Sequence, residues 1–456
     1  MNGPLRVTVM GLGLFGGGAG AARFYAERGH QVTVTDLRDA GTLAPAVEKL
    51  AGLDVRFRLG GHDEADFAGC DLLVVNPGVR PADRYVELAR ASGARVATEF
   101  GLGLELAERR GARALAVTGS NGKSTTCAML TAAVRAADPR TRGGGNIGGS
   151  LLVSACELPE GAPLVLEVSS FQLERLERFP GLAVAVVTNL APNHLDWHDS
   201  VESYYAAKKR LLGFLPPGGK AVLNARDPVL LEWGAGLGGR AVWFSGDETG
   251  PMARVIEGAR LAGPHDAENA LAAAHAAAAF GVDEDRIAEG LASFAPLRHR
   301  LEEVARAGGL RFVDDSSSTT PESTIVALRA VSGPVALIAG GSDKGLSFEA
   351  LAAEIAQRAV GAAVMGRAGA KIADAVRACL RADTHGQAAG RAPGVGVRLA
   401  EVADLEGAVT AAAGFLEGSG TVLLSPAAAS LDAFANYVRR GERFAEIARA
   451  FGGRAR

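Results

Sequence analysis

Short runs of β-branched and other apolar residues alternate with longer alanine- and leucine-rich stretches along the whole chain. This alternation predicts strands separated by helices, which is typical of α/β domains built on parallel sheets. The runs that predict strands are Arg6–Met10, Gln31–Thr35, Leu72–Val75, Ala114–Thr118, Pro163–Val168, Val184–Thr188, Lys220–Asn224, Leu310–Val313, Pro334–Ala339, Ala362–Met365 and Gly420–Leu424.

Two stretches interrupt the alternation and predict domain junctions. One surrounds Ala97–Gly103, and the other surrounds Pro296–Arg300, after the alanine-rich helical region Asn269–Phe280. A chain of 456 residues fits three domains at roughly 150 residues each. The predicted domains are residues 1–97, 98–296 and 297–456.

Composition and charge narrow the class of protein. The net charge is -3 and no long run of one sign occurs, which argues against nucleic acid or a membrane surface as a partner. The four cysteines form no CxxC pair, and no apolar stretch approaches the roughly 18 residues of a membrane span. The N-terminus enters a strand-like run without a signal-peptide pattern. We therefore expect a cytoplasmic protein without membrane insertion.

A glycine motif follows the first predicted strand. Gly11–Gly16 fits GxGxxG, and Asp36 ends the next strand. In such units the glycines let the backbone approach a pyrophosphate, and the acid binds a ribose hydroxyl. NAD-like ligands, other diphosphonucleosides and a purely structural turn all fit this pattern. Asn76–Gly78 follows another strand and by itself fits an ordinary turn.

A second glycine loop, Thr118–Thr125, lies between a buried strand and a helix and reads TGSNGKST. Its backbone N–H groups and the helix dipole would face phosphates, Lys123 would add a point charge, and Ser124 is suited to Mg²⁺. Val117 stands where a full Walker A motif has glycine. The predicted phosphate cradle comprises Gly119, Ser120, Asn121, Gly122, Lys123, Ser124 and Thr125.

Three further side chains are candidates for metal chemistry. Glu167 ends an apolar strand of the same sheet, where a carboxylate suits Mg²⁺, although a capping or ion-paired glutamate also fits. His194 lies in a loop, where most histidines are simply solvated. Lys208 falls on the apolar face of a predicted helix, Val201–Leu212, for which Asp199 and Glu202 form a capping-box pattern. Such a lysine either snorkels or, if desolvated, reacts with CO₂ to give a carbamate.

The motifs occur in a characteristic order along the chain. They are GLGLFG from Gly11, NPG from Asn76, TGSNGKST from Thr118, GGNIG from Gly144, EVSSFQLE from Glu167, TNLAPNHLD from Thr188, YYAAK ending at Lys208, His299-Arg300, GGSDKG from Gly340 and LLSPAAASLDAFANYVRRGERF from Leu423. In this order and spacing they resemble the Mur ligase superfamily over essentially the whole chain, and most of all its branch that adds D-glutamate.

The resemblance implies a Rossmann-like N-terminal domain, a central ATPase-type domain and a Rossmann-like C-terminal domain. It implies ATP-dependent ligation of D-glutamate to UDP-N-acetylmuramoyl-L-alanine through an acyl phosphate, in peptidoglycan precursor synthesis. ATP and amino acid would be held by different domains, so domain closure is expected. The resemblance also leads us to expect a monomer with two Mg²⁺ sites.

The resemblance assigns roles to individual residues. Lys123, Glu167, His194 and Lys208 would be catalytic. Ser124 and Glu167 would hold one Mg²⁺, and His194 with a carbamylated Lys208 would hold the second. Besides the phosphate loop, ATP would contact Asn269, Arg300 and Asp315. The UDP substrate would contact Gly13, Leu14, Phe15, Asp36, Arg38, Asn76, Gly78 and Asn146. The amino acid would contact Thr319, Lys344, Ser430 and Tyr437.

Four positions depart from the family pattern. Phe15 replaces a small hydroxyl residue, Asp266 an asparagine, and Asn193 an aspartate. Ser317 stands where a lysine is common near the amino-acid site, so one cation is missing. Lys344, Arg439 or Arg440 would then hold the second carboxylate, or the amino acid would be a different one, such as L-glutamate.

Three other classes compete with this interpretation. A folylpolyglutamate synthase-like ligase shares the ATP domain but lacks the N-terminal GxGxxG domain. A nicotinamide dehydrogenase would leave the phosphate loop, Glu167 and Lys208 unexplained. A regulatory nucleotide-binding module with a decayed site would not be expected to retain Lys123, Glu167, His194 and Lys208 together.

Overall fold

The computed structural model describes residues 3–13, 16–194, 197–259, 261, 264–343, 346–382, 396–430 and 432–454. Its strands are β1 Arg6–Met10, β2 Gln31–Asp36, β3 Val55–Leu59, β4 Leu72–Val75, β5 Arg95–Ala97, β6 Arg113–Thr118, β7 Arg142–Gly145, β8 Pro163–Glu167, β9 Leu182–Val187, β10 Lys220–Asn224, β11 Ala241–Phe244, β12 Glu302–Ala307, β13 Gly309–Asp314, β14 Val335–Gly340, β15 Ala359–Met365, β16 Arg398–Glu401 and β17 Ser419–Leu424.

Helices separate most of these strands. They are α1 Gly17–Ala26, α2 Ala40–Glu48, α3 Glu64–Ala68, α4 Arg84–Ala91, α5 Glu99–Arg109, α6 Lys123–Ala137, α7 Leu151–Cys156, α8 Ser170–Arg175, α9 Val201–Gly213, α10 Pro228–Ala235, α11 Pro251–Val255, α12 Pro264–Phe280, α13 Glu284–Ser293, α14 Pro321–Ala330, α15 Glu349–Arg358, α16 Gly366–Ala382, α17 Leu405–Phe415 and α18 Tyr437–Arg454. In the described part of the chain, no helix has the length and apolarity needed to cross a membrane.

The strands form three sheets, as the alternation predicts. Their orders are β3-β2-β1-β4-β5, then β11-β10-β9-β6-β8-β7, then β12-β13-β17-β14-β15-β16. The first two sheets are parallel throughout, but β12 pairs antiparallel with β13, which the expectation of purely parallel sheets did not include. The inner strands β6 and β8 are buried almost along their whole length, which explains their continuous apolar sequences.

The chain divides into two compact units. One comprises Met1–Arg260 with Asp266–Phe294 and carries the first two sheets; the other comprises Leu261–His265 with Ala295–Arg456 and carries the third. The domain boundaries at 97/98 and 296/297 stay predictions. The segment Ala97–Gly103, expected to be a junction, is the end of β5 and the beginning of helix α5.

Helix α5 connects the first two sheets of the first unit. Glu99, its first residue, accepts hydrogen bonds from the Ser150 hydroxyl (2.6 Å) and the Leu152 N–H (2.7 Å), so the carboxylate caps α7. A Cβ atom at Gly103 would lie 2.7 Å from Leu151 Cγ, and one at Gly20 2.3 Å from Ser150 Cβ. These contacts hold α1, α5 and α7 together beside the glycine turn that precedes Ser150.

The N-terminus of α9 corrects one sequence prediction. Ser200, not Asp199, is the N-cap residue, and Ser203 completes the capping box instead of Glu202. The hydroxyl of Ser200 accepts from the Ser203 N–H, so the capping box lies one residue later than the acidic pattern indicated, whereas the helix begins at Val201 as predicted. The predicted apolar face is confirmed, because Tyr204 and Lys208 are both 1% exposed.

Candidate active site

The loop Gly119–Gly122 connects β6 to α6 in the predicted strand–loop–helix arrangement. Gly122 is the N-cap of α6 and adopts φ 78°, which favours glycine. A Cβ atom there would lie 2.2 Å from Asn269 Oδ1, so close approach by α12 also requires glycine. Lys123 Nζ donates to the Ser120 carbonyl oxygen at 2.8 Å. The loop thus places the N-terminus of a 15-residue helix and one ammonium group at the same edge of the sheet.

The segment after β9 holds this loop in shape. Asn189 Oδ1 accepts from the Asn121 N–H (2.9 Å), and Asn189 Nδ2 donates to the Asn121 carbonyl oxygen (3.2 Å). The Thr188 hydroxyl donates to the same carbonyl at 2.6 Å. No role was predicted for Asn189 from the sequence. Its place directly after a predicted inner strand was a signal for one.

Glu167 lies beside the phosphate loop because β8 pairs in register with β6, matching Glu167 with Val117. The side chain is 2% exposed, and Oε1 accepts from Asn146 Nδ2 at 2.8 Å. Among the described residues, Oε2 is buried and has no hydrogen-bond partner. A buried carboxylate oxygen without a donor is costly unless a cation or water completes it, so this atom fits a metal ligand. Ser124, 5% exposed, lies in the first turn of α6.

Lys208 reaches the same loop from α9. Its Nζ donates to the Gly119 carbonyl oxygen at 2.7 Å and lies 4.7 Å from the centroid of the Tyr204 ring. Burial holds the pKa of this amine well below its ordinary value, and repulsion from Lys123 lowers it further, whereas Glu167 acts in the opposite direction. Lys208 is therefore a buried amine biased toward its neutral, nucleophilic form.

His194 lies in a loop stacked with aromatic rings. Its backbone adopts φ 55°, and the Phe171 ring lies 4.8 Å away in an edge-on arrangement. The Trp197 and His198 N–H groups both donate to the His194 carbonyl oxygen, at 3.1 and 2.9 Å. A strained backbone held by a turn and a ring is a common feature of functional positions.

In the first sheet, the candidates for the UDP substrate surround Asp36. Its carboxylate accepts from the Leu12 N–H (3.0 Å), the Arg38 N–H (3.0 Å) and two nitrogens of the Arg38 guanidinium. Burial is the largest single influence on the pKa of Asp36 and raises it. The hydrogen bonds and the charge of Arg38 act in the opposite direction, and together they lower this pKa below its ordinary value. Asn76 donates to the Gly11 carbonyl oxygen and accepts from the Gly78 N–H. Gly13 adopts φ 68°. Leu14 and Phe15 lie outside the described residues.

In the second unit, Asp315 is buried at the carboxyl edge of the third sheet. Its Oδ2 accepts from the Ser425 hydroxyl at 2.7 Å, and the Leu301 N–H points to Oδ1 at 3.4 Å. Burial raises the pKa of Asp315 to about 7, although Ser318, Ser425 and Arg300 act in the opposite direction. Arg300 follows His299, whose Nδ1 lies 2.7 Å from Asp314 Oδ2.

The candidates for the amino-acid site lie in the same unit. Ser430 is 4% exposed, Thr319 is half-buried, and Tyr437 begins α18. Lys344 lies outside the described residues. Ser317 Oγ is buried without a hydrogen-bond partner among the described residues.

The two arginines considered as replacements for the missing lysine, Arg439 and Arg440, both already have partners within the protein. Arg440 is fully buried and donates to the Ser316 hydroxyl and to the Ser316 and Ala428 carbonyl oxygens. Burial lowers the pKa of its guanidinium to about 10. Arg439 pairs with Glu442 at 2.8 Å. Arg440 therefore cross-links two loops of the third sheet, a role for which its sequence position gave no sign.

Comparisons with known proteins agree with this arrangement. Residues 5–98 match the family model of the Mur ligase MurD-like N-terminal domain, and residues 117–257 match the Mur ligase middle domain. The UDP-N-acetylmuramoylalanine–D-glutamate ligase of Roseiflexus sp. is 38% identical over 98% of both chains, and that of Anaeromyxobacter dehalogenans is 39% identical over 97% of both.

Solved structures support the fold. The UDP-N-acetylmuramate–alanine ligase of Thermotoga maritima superposes with a TM-score of 0.60 at 17% identity, covering 97% of this chain and 98% of that one. A pseudomurein peptide ligase type C from Methanothermus fervidus gives 0.56 at 17% identity, covering 97% and 99%. With close relatives aligned from end to end and two of its domains matched by family models, the chain belongs to the Mur ligase family, in its MurD-like branch.

Proposed function

We propose that this enzyme uses ATP to join D-glutamate to UDP-N-acetylmuramoyl-L-alanine in peptidoglycan precursor synthesis. The observation that carries the proposal is the phosphate loop with Glu167 beside it and one carboxylate oxygen of Glu167 left without a donor. The names of the relatives that align over 97–98% of the chain supply the substrates.

Residues on the first unit suit Mg²⁺ with a bound nucleotide. Glu167 Oε2 and the Ser124 hydroxyl would hold one Mg²⁺, and oxygen ligands of this type are those the ion prefers. His194 and a carbamate formed on Lys208 would hold a second, and the low pKa of Lys208 supports carbamate formation. The two ions would neutralise negative charge as two anions approach each other.

The protein's own groups then bind and position the reactants. The loop N–H groups, the N-terminus of α6 and Lys123 would bind the phosphates of ATP. The substrate carboxylate is the nucleophile: its oxygen bonds to the γ-phosphorus of ATP, the bond from that phosphorus to the β,γ-bridging oxygen breaks, and ADP leaves as the acyl phosphate forms. The glutamate amine attacks the acyl carbon and phosphate leaves. No side chain need act as nucleophile, so positioning and charge stabilisation carry the catalysis.

The identity of the amino acid is the part of the proposal that Ser317 affects most. Thr319, Lys344, Ser430 and Tyr437 would hold the amino acid, and Arg300, Asp315 and Asn269 would contact ATP. With Arg440 buried between loops and Arg439 paired to Glu442, Lys344 is the cation that we assign to a glutamate carboxylate. D-glutamate is preferred because the relatives named above are D-glutamate ligases.

Phosphate release measured with ATP, Mg²⁺ and UDP-N-acetylmuramoyl-L-alanine tests the proposal. We expect release that depends on D-glutamate and is absent without the UDP substrate. Release with L-glutamate alone would overturn the stereochemistry, and no release with either amino acid would overturn the function. Fluorescence detection of nicotinamide binding would instead favour the dehydrogenase alternative. With substrates of this kind, we place the enzyme in the cytoplasm and expect it to act as a monomer.

A further inference from the structure

Two side chains from segments after strands β8 and β9 of the second sheet bind adjacent carbonyl groups in the loop after β4. Trp197 Nε1 donates to the Gly78 carbonyl oxygen at 3.0 Å. Arg175 Nε donates to the Val79 carbonyl oxygen at 3.1 Å, and a second nitrogen of the same guanidinium donates to that oxygen as well. Two consecutive carbonyl groups are thus bound by side chains from two different segments.

The two donors are joined by a third side chain. Phe171 and Arg175 are four residues apart on α8 and therefore lie on one face of the helix. The Phe171 ring lies edge-on to the Trp197 ring at 4.8 Å and edge-on to the His194 ring at 4.8 Å. Burial lowers the pKa of Arg175, but the group stays charged, so its hydrogen bonds to Val79 are charge-assisted. We name Phe171, Arg175 and Trp197 the loop clamp.

The clamped loop in turn touches the first glycine motif. Asn76 Nδ2 donates to the Gly11 carbonyl oxygen at 3.3 Å, and a Cβ atom at Gly13 would lie 3.0 Å from that same nitrogen. A continuous set of contacts therefore runs from His194 through the clamp and Asn76 to the glycine loop of the first sheet.

We propose that the three residues of the loop clamp are positioning residues. They fix the loop Asn76–Val79, which carries the UDP-substrate candidates Asn76 and Gly78, relative to His194. The inference rests on the proposed function, since it takes that loop and His194 to serve the same acceptor substrate. In the described part of the chain, the hydrogen bonds that the Arg175 and Trp197 side chains donate end on Gly78 and Val79 in the loop after β4, and not on the phosphate loop. Loosening it should weaken binding of the UDP substrate and leave ATP binding unchanged.

The test uses the full-length enzyme with Trp197→Phe, which keeps an aromatic ring against Phe171 and removes the indole N–H donor. Trp243→Phe, on the edge strand β11, is the matched control. Loss of one hydrogen bond predicts a rise of about fivefold in both KM and the calorimetric Kd for UDP-N-acetylmuramoyl-L-alanine. The KM for ATP and kcat should stay within about twofold of wild type, because the lost hydrogen bond ends on the loop after β4 and not on the phosphate loop. The thermal midpoint should fall by about 3 °C at most, as expected for the loss of one hydrogen bond.

Arg175→Met is the second variant and should raise the same two constants further, because it removes the charge-assisted donor from the partly buried Val79 carbonyl oxygen. Unchanged constants for the UDP substrate in both variants, with an active wild type, would overturn the clamp alone. Equal rises in the KM for ATP would overturn it too, since they would indicate a general structural role. A wild-type enzyme that neither binds nor turns over the UDP substrate would overturn the proposed function.

Discussion

Glu167 and Lys208 show how burial prepares single side chains for chemistry. Both are almost inaccessible. Lys208 Nζ donates to the Gly119 carbonyl oxygen of the phosphate loop, and burial together with the nearby charge of Lys123 lowers its pKa. A buried carboxylate oxygen without a donor and an amine pushed toward its neutral form are each costly in a folded protein without ligands. Such costs are expected where a cation and a covalent modification complete the site.

Glu167→Gln tests the metal assignment. The change keeps the acceptor for Asn146 and removes the charge, so phosphate release should fall by about a hundredfold or more. Without Mg²⁺ the variant should melt no lower than wild type, because a buried charge has been removed. Thermal melting with and without Mg²⁺ and ATP provides the measurement, with Glu177→Gln at an exposed position as the control. A ligand-induced rise in midpoint as large as that of wild type would contradict the assignment.

Lys208→Ala tests the carbamate. The variant should lose ligation, and added bicarbonate should not restore it, because the amine that reacts with CO₂ is absent. In the wild-type protein supplied with ¹³C-bicarbonate, NMR should detect a carbamate carbon that Lys208→Ala lacks. Lys209→Ala, changing the exposed neighbour, should retain both the signal and the activity. Near-normal activity of Lys208→Ala would exclude Lys208 from the metal site.

The raised pKa of Asp315 gives stability a defined pH dependence. The folded carboxyl titrates at about 7 instead of 3.8, so between these values the folded protein holds a proton that the unfolded chain has released. The free energy of unfolding should therefore fall as pH rises through this window, by up to about 4 kcal/mol. Asp315→Asn should make that slope shallower in thermal melts between pH 4 and 8, leaving the contributions of Glu99 and Asp314, whose pKa values burial also raises. Asp285→Asn at an exposed position should keep the wild-type slope. Parallel slopes in wild type and Asp315→Asn would show that Asp315 does not cause the effect.

At the scale of elements, the strands predicted from sequence are the inner strands of the three sheets. The strands that the apolar pattern did not predict are β3, β5, β7, β11, β12 and β16, and each lies at an edge of its sheet in the described structure. An edge strand is covered on fewer sides, so its residues need not be apolar. Strand β3 reads Val-Arg-Phe-Arg-Leu, and none of its residues is buried. The pattern therefore detects burial, and it locates strands only where strands are buried.

The residues of the candidate site were predictable only where they carry a local sequence signal, as the strands were predictable only where they are buried. Glycine loops and polar residues at the ends of inner strands, such as Lys123 and Glu167, carry a local signal. Residues that act through contacts distant in sequence do not, as with Arg175 on Val79 and Arg440 on Ser316. The sequence likewise did not predict that Arg38 donates to both carboxylate oxygens of Asp36, because these hydrogen bonds depend on the turn that brings Arg38 back over the carboxylate.

Gly122→Ala tests the fit between the phosphate loop and α12. The new Cβ atom would face Asn269 Oδ1 at 2.2 Å on a backbone with φ 78°, so the loop must deform and ATP binding should weaken at least about tenfold. Gly213→Ala, where a Cβ atom meets nothing within 4 Å, should be neutral or slightly stabilising. Nucleotide titration by calorimetry measures both variants. An unchanged Kd for ATP in Gly122→Ala would show that the loop does not cradle the phosphates as proposed.

At the scale of the whole molecule, the candidate residues are divided between the two compact units. The phosphate loop, the metal candidates and the UDP-substrate candidates lie on the first unit, and the amino-acid candidates lie on the second. A ligation passing through an activated carboxylate suits this division, because activation and amine attack are separate steps. The order of the two steps predicts that the substrate carboxylate gives one of its oxygens to phosphate.

Activation of the substrate carboxylate as an acyl phosphate is tested most directly by following oxygen transfer from UDP-N-acetylmuramoyl-L-alanine labelled with ¹⁸O in both oxygens of its carboxylate. The enzyme is supplied with ATP, Mg²⁺ and D-glutamate, and the phosphate released is examined by mass spectrometry. Attack of the carboxylate on the γ-phosphate predicts one ¹⁸O atom in each phosphate and one retained in the amide product. Unlabelled phosphate formed alongside amide product would contradict an acyl phosphate, and with it the central role assigned to the phosphate loop and Glu167.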